Sequence, residues 1–372
     1  MARIAVNTRF LLPKKMEGFG WYTYEIVSRL IQNHPDHTFV LFFDRPISEQ
    51  FKFPQKNVEL VVLNPPARHP ILFIIWFEWA VYRALKKYKI DLFFSPDGYL
   101  SLRSNVPQIN VIHDINFEHF PKDIPFIPRV YLRYFFSKFA KKSQKIITVS
   151  QTSKDDIAKT YKVNSDKIVP IWNGVSDVFK PISSDEKIKI ESQFSNGKNY
   201  FLFVGSIHPR KNLQNLILAF EHYKKQLNGN FELVIVGEEM WSKNSVQIDE
   251  KIKNHIHFTG HLPLENLADV MAGATVFSFL SYFEGFGIPI VEAMRSGVPI
   301  LASNTSCIPE IAGDAALYVN PFDTNAISEK MFQLEQDQRL RTELIEKGLK
   351  RGELFSWDES AKKVGEVICS IV

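Results

Sequence analysis

The stretch Tyr282-Phe-Glu-Gly-Phe-Gly-Ile-Pro-Ile-Val-Glu-Ala-Met-Arg-Ser-Gly-Val-Pro299 decides how the chain reads. Ala274 to Leu280 ahead of it is apolar and rich in β-formers, and Pro299 to Ala302 behind it is a second apolar run, so the order is strand, loop, helix, strand. Gly285 and Gly287 let the backbone approach a ligand, and Pro289 suits a first helical turn, where its missing N–H was unpaired anyway. Free N–H groups and the positive end of a helix meet at such a loop, which favours an anion such as a pyrophosphate. Glu284 and Glu292 frame that point. A carboxylate beside a phosphate repels it, so these two suit hydroxyl groups on either side of a diphosphate, the chemistry of a nucleotide sugar. In isolation they read more simply as a loop charge and an acid near a helix start.

The 372 residues suffice for two domains, each with its own core. No apolar run reaches the length of a membrane span, and the chain opens on the strand-like Ile4-Ala5-Val6 and not on a signal peptide, so a cytoplasmic protein is expected. Cys307 and Cys369, the two cysteines, have no metal-ligand spacing, and no disulfide framework is expected. The net charge of +4 hides an asymmetry: residues 1–180 hold 26 Lys and Arg against 16 Asp and Glu, the remainder 19 against 25. A basic half joined to an acidic one points to an anionic partner for the first half, with no nucleic acid expected.

Residues 1–175 alternate short β-rich runs (Ile4–Val6, Phe39–Phe43, Glu59–Leu63, Asp91–Phe94, Gln108–Ile112 and Lys145–Val149) with helix-length segments, the pattern of a parallel sheet covered by helices. Gly18 and Gly20 open a helix after the first strand, but a dehydrogenase-like site would want a third glycine and a better placed acid than Asp44. His113-Asp114 follows a strand, where open α/β sheets present ligands. The segments Ile71 to Lys89 and Pro125 to Lys145 mix aromatic and basic residues. Each reads either as a sheet-covering helix or as a surface for an anionic membrane.

After the polar Ser176 to Asn199, read as a linker, Tyr200 to Val204 is a buried strand. It leads into Gly205-Ser206-Ile207-His208-Pro209-Arg210-Lys211-Asn212 and a helix carrying Leu213, Leu216, Ile217 and Phe220. Cations at a helix start oppose its dipole unless an anion joins them, so Arg210 and Lys211 suit a diphosphate. Phe231 to Val236 ends at Gly237, and Ile256 to Phe258 leads to Gly260-His261-Leu262. Ala326 to Val372 is helical in pattern, with Ser356-Trp357-Asp358 capping the last helix.

Glu284 and Glu292, separated by seven residues and enclosing Gly-Phe-Gly-Ile-Pro, resemble the Glu-x7-Glu signature of the GT4 family of retaining glycosyltransferases. The likeness continues through Ala293 to Pro299 and Pro309 to Ala316. The resemblance implies the α/β fold called GT-B: two Rossmann-like, doubly wound parallel-sheet domains facing across a cleft. Residues 1–180 would bind the acceptor, 181–355 the nucleotide sugar, and 356–372 would form a terminal helix crossing back to the first domain, with Asn173-Gly174-Val175 ending that domain. It implies His113, Glu284, Lys211 and Arg210 as catalytic residues, with Asp114 orienting the His113 ring. For the donor it implies Gly18, Gly20, Gly205, Ser206, Gly237, His261 and Leu262, together with Gly285, Phe286, Gly287, Ile288 and Glu292. Asn304-Thr305-Ser306 resembles a loop near the sugar. Two positions depart from the family pattern, Glu17 where a further glycine is usual and Ser206 where an arginine is common.

No Asp-x-Asp occurs, so neither a metal nor any other cofactor is expected; Lys211, Arg210 and the helix dipole would steady the leaving diphosphate. The form of the Gly205 to Asn212 loop is similar to bacterial mannosyl- and rhamnosyl-type polysaccharide transferases, which implies a GDP-mannose-like donor. The acceptor would be a glycan or lipid-linked glycan, with peripheral contact at the inner face of the cytoplasmic membrane. Two alternatives stand: an epimerase, which converts donor without acceptor, and a sugar-nucleotide-binding protein without turnover.

Overall fold

The computed structural model describes residues 1–13, 16, 18–238 and 248–372; Glu17 lies outside them. They divide into two compact units, one of Met1–Gly174 with Trp357–Val372, the other of Val175–Ser356.

The first unit holds seven strands: β1 (Arg3–Asn7), β2 (Thr38–Phe43), β3 (Val58–Val62), β4 (Leu92–Ser95), β5 (Gln108–Val111), β6 (Lys145–Thr148) and β7 (Ile168–Pro170). All pair in parallel, in the order β3-β2-β1-β4-β5-β6-β7. Helices cover both faces, so the strands are apolar along their length: Ile4, Ala5 and Val6 are fully buried, as are Phe93, Phe94, Ile146 and Ile147. The helix Trp357–Cys369 completes this unit against the helix Gly18–Asn33. Arg29 Nε pairs with Asp358 at 2.5 Å, Ser360 Oγ donates to the Trp172 carbonyl at 2.5 Å, and the Tyr22 and Trp357 rings meet edge to face.

The second unit is a parallel sheet of β8 (Tyr200–Val204), β9 (Glu232–Val236), β10 (Ile256–Gly260), β11 (Val276–Phe279), β12 (Ile300–Ser303) and β13 (Ala316–Val319), ordered β10-β9-β8-β11-β12-β13. In each sheet the strand order reverses beside the first strand, between β1 and β4 and between β8 and β11. Loops leaving the carboxyl ends of such a pair diverge and open a crevice, the usual ligand position in open α/β sheets.

The segment read as a linker is partly helical, over Ser184–Phe194. Ser183 and Glu186 form a reciprocal capping box at its start, and Ile190 is the one residue it buries. With so narrow an apolar face, its composition looks like loop. Among the described residues no helix is long and apolar enough to cross a membrane.

Candidate active site

Close backbone approach fixes the loop after β8. Gly237, at φ +150°, sits so near the end of β8 that a Cβ there would lie 1.9 Å from the Gly205 carbonyl oxygen. Gly205 N donates to Val236 O, Ile207 N to Glu238 O and Gly237 N to Gly260 O, which stitches three strand ends together. The chain then makes the short turn Pro209–Lys211, in which His208 Nδ1 accepts from Arg210 N. Asn212 follows at φ +60°, its Nδ2 donating to the carbonyls of Leu280 and Pro321 at 3.1 and 2.6 Å. The turn is thereby pinned to the end of β11.

Glu284 lies in the loop between β11 and the helix Ile288–Arg295, 6 % exposed. Its carboxylate receives both cations: Arg210 Nη1 at 2.5 Å from Oε2 and Lys211 Nζ at 2.7 Å from Oε1. Burial works against ionising Glu284, but the guanidinium and ammonium outweigh it and hold the carboxyl at about 2. Four neighbours brace this loop from behind. Ser303 Oγ and Thr305 Oγ1 donate to the carbonyls of Ser281 and Tyr282, and Ser306 Oγ donates to Glu284 O while accepting Glu284 N. Cys307 Sγ donates to Glu284 O at 3.1 Å. Gly287, at φ +92°, turns the chain into the helix, with Pro289 in the first turn.

Glu292, one turn into that helix, behaves oppositely. Burial pushes its carboxyl up to about 8, with Lys211 acting against the rise. At neutral pH it carries its proton and can both donate and accept a hydrogen bond, whereas the expectation from sequence was an acceptor only. Two acids with seven residues between them thus hold different protonation states, the pattern by which one site separates two roles.

In the first unit, Gly18 and Gly20 stand in the first turn of the helix Gly18–Asn33, and His113 follows β5. The His113 ring meets Phe19 at 4.7 Å and Tyr22 at 4.8 Å, both edge on, so the glycine loop and the histidine come together. His113 Nε2 faces the Pro96 carbonyl at 2.9 Å and must carry the hydrogen. Burial lowers the pKa of the ring, which leaves a neutral imidazole with its lone pair on Nδ1. Asp114 was expected to orient this ring; its Oδ1 instead accepts the Asn116 N–H at 3.0 Å, and Pro96 sets the tautomer.

Within the second unit, Gly205, Lys211, Arg210, Glu284 and Glu292 are brought to one place: the Lys211 side chain passes over Gly205, and Lys211 acts on both acids. Ser206 follows Gly205 in the same loop, and Gly285, Phe286 and Ile288 continue the Glu284 loop into its helix. Gly237 touches Gly205. Exposed His261 and half-buried Leu262 follow directly on the end of β10. The sequence reading gave Tyr22, Pro96 and Asn212 no role in the site. An asparagine at a helix entry was the only signal for any of them.

The cluster can hold a diphosphate between two cations and a helix N-terminus, beside one ionised and one neutral carboxyl. Residues 16–178 match the family model described as Glycosyltransferase Family 4, and residues 184–351 match Glycosyl transferases group 1. The chain is 28 % identical to the O-antigen chain mannosyltransferase B of Escherichia coli over 92 % of its length and 93 % of that protein's. It is 31 % identical to the O-antigen chain mannosyltransferase RfbU of Salmonella typhimurium, over 72 % of this chain and 71 % of that one. Anabaena Alr3699/HepE, solved in complex with UDP-glucose, superposes with a TM-score of 0.76 at 17 % identity, covering all of both chains. The chain belongs to the family 4, group 1 glycosyltransferases, and is a glycosyltransferase of the GT-B fold.

Proposed function

We propose that the protein transfers a mannose-like hexose, with retention of configuration, from a nucleoside-diphosphate sugar to a glycan or lipid-linked glycan in cell-surface polysaccharide synthesis. The observation that carries this is the Arg210–Glu284–Lys211 cluster at the β8/β11 crevice, a diphosphate receptor with a sugar-binding acid built into it. The names of the two O-antigen relatives support mannose.

In this reading the donor diphosphate lies against Lys211, Arg210 and the N–H groups after Gly287, which take up the negative charge that grows as the glycosidic bond breaks. The two cations supply the neutralisation for which a divalent metal is used elsewhere, so no metal is required. Glu284, ionised, accepts from sugar hydroxyls; Glu292, protonated, pairs with the ribose. Neutral His113 offers Nδ1 to a hydroxyl of the transferred sugar. The departing phosphate receives the acceptor's proton, and the new bond forms on the face the diphosphate leaves. Gly18, Gly20, Gly237, His261 and Leu262 are proposed as backbone and base contacts. A lipid-linked acceptor places the work at the inner face of the cytoplasmic membrane.

The test is a panel of GDP-, UDP-, ADP- and dTDP-hexoses with and without lipid-linked glycan extract, followed by NMR of the product. Diphosphate release that needs acceptor, and an anomeric configuration equal to the donor's, bear the reading out. Conversion of the donor without acceptor would make the protein an epimerase, and an inverted product would remove the same-face mechanism.

A further inference from the structure

At the β1/β4 crevice of the first unit an ion pair lies beneath the surface. Arg9 stands just beyond β1 and Asp97 just beyond β4, with Arg9 Nε 2.5 Å from Asp97 Oδ2 and the two side chains 4 % and 2 % exposed. Aromatic rings wall the guanidinium: those of Tyr99, Phe73, Phe10 and Phe77 lie 4.1, 4.7, 4.8 and 5.5 Å from its carbon. Taking two charges out of water is costly, and apolar side chains of the same volume often fill such a place with no loss of stability. Stability is therefore a poor reason for the pair. Direction is a better one, because charged groups with fixed hydrogen bonds hold a backbone in one orientation.

What the pair fixes is Pro96. Asp97 Oδ1 accepts from Ser95 Oγ at 3.0 Å and from Tyr99 N at 3.2 Å, and Ser95 Oγ accepts in turn from Asn7 Nδ2 at 3.0 Å. The residues on both sides of Pro96 are thereby tied to the end of β1, while Asn110 of β5 donates its Nδ2 hydrogen to the Gly98 carbonyl at 3.3 Å. Proline has no N–H, so the carbonyl is the one hydrogen-bonding group Pro96 has. It takes the His113 Nε2 hydrogen at 2.9 Å. A second route runs through the rings: Arg9 lies over Phe10, Phe10 meets Phe19 at 5.4 Å, and Phe19 meets the His113 ring at 4.7 Å. The glycine loop is locked to the same place, since a Cβ on Gly20 would lie 2.7 Å from the Phe10 carbonyl oxygen.

We propose that Arg9 and Asp97 are positioning residues of the transfer reaction. Both are buried and act through their neighbours. The pair holds the Pro96 carbonyl where it selects the Nε2–H form of His113, and holds Phe10 and Phe19 where they set the plane of that ring. Nδ1 is then left as the acceptor, already aimed, with no reorientation to be made as the reaction begins. The inference rests on the part given to His113 above and names what fixes the ring for it.

Isotope-labelled histidine rings report by NMR which nitrogen carries the hydrogen, and comparison with His113→Gln assigns the His113 signal. Spectra, melting curves and turnover are taken for wild type, Asp97→Asn, Ser95→Ala and the double variant Arg9→Met with Asp97→Leu. Wild type shows the Nε2–H form alone. In Asp97→Asn and the double variant the ring divides between the two forms or turns to Nδ1–H, and kcat falls about 10- to 100-fold. Calorimetric binding of GDP or UDP, assigned to the second unit, stays within about twofold of wild type. The double variant exchanges the pair for apolar groups and keeps its melting temperature, which separates lost positioning from lost stability. Ser95→Ala removes one bond to Asp97 and no charge. Should the other variants fail to fold, it carries the test, with both readouts moving the same way by less. An unmoved His113 signal in a folded variant overturns the proposal, whatever turnover does. A signal that moves while turnover stays at the wild-type level leaves the pair its hold on the ring but overturns the part given to His113 in transfer, and the proposal with it. The spectra need no substrate, so they judge the hold on the ring even if no donor of the panel is turned over.

Discussion

Lys211 Nζ stands 2.7 Å from Glu284 Oε1, so the cation assigned to the donor's phosphates is paired with the acid assigned to the donor's sugar. With Arg210 on the other oxygen, the three form one unit with a net charge of +1, and a diphosphate must share its cations with a carboxylate that repels it. Glu284→Gln lifts that repulsion. Free nucleoside diphosphate should then bind about three- to tenfold tighter, while sugar transfer falls about 10²-fold or more. Calorimetry and turnover on the same preparation check both, and weaker diphosphate binding would contradict the arrangement.

Lys211→Ala should weaken nucleoside-diphosphate binding by about 10- to 100-fold and leave the free nucleoside nearly untouched. Equal losses for the two ligands would refute the phosphate role.

The pH dependence has opposite signs for the two acids. Glu292 keeps its proton up to about 8 when folded, against an ordinary value of 4.5. The native chain therefore binds more protons than the unfolded one in that window, and this group's contribution to stability falls as pH rises from 4.5 to 8. Melting temperatures of wild type and Glu292→Gln, compared at intervals across that range, should show wild type losing ground steadily. Glu284, held at about 2, adds stability above 4.5 that is lost as pH falls towards 2. Its Gln variant should accordingly converge with wild type only in acid.

Gly237→Ala brings a methyl group to 1.9 Å from the Gly205 carbonyl at a backbone angle that L residues rarely adopt. Unfolding in urea should show a loss of about 2 kcal/mol or more, and donor binding should weaken because Gly205 begins the loop that carries Lys211. A stable, fully binding variant would mean the two loops tolerate separation.

Chelator treatment followed by assay in metal-free buffer should leave transfer unchanged. A loss restored by added divalent cation would show that Lys211 and Arg210 do not suffice.

Much of this was legible because a parallel sheet covered on both faces writes its strands as unbroken apolar runs, as at Phe39–Phe43 and Tyr200–Val204. The spacing of Glu284 and Glu292 across a glycine loop carried the family signal in the same way. The short edge strand β7 ends in proline and gave no comparable run. Protonation states were out of reach, since Glu284 and Glu292 differ only through burial and through partners over seventy residues away in sequence. So was the meeting of His255, His257, Lys198 and Lys224 on buried Glu232, a product of how β10 registers against β9. The two aromatic, basic segments were each visible, but only the Phe73–Tyr131 contact makes them a single surface.

The helix Trp357–Cys369 that packs on Gly18–Asn33 also sets an order of events during synthesis. Residues 175–356 leave the ribosome as a contiguous piece able to close on itself, while Met1–Gly174 waits for a strip of sequence made after that piece. Until then Tyr22 lacks the cover of Trp357, and the nascent chain carries an uncovered seam that a chaperone or a protease can find.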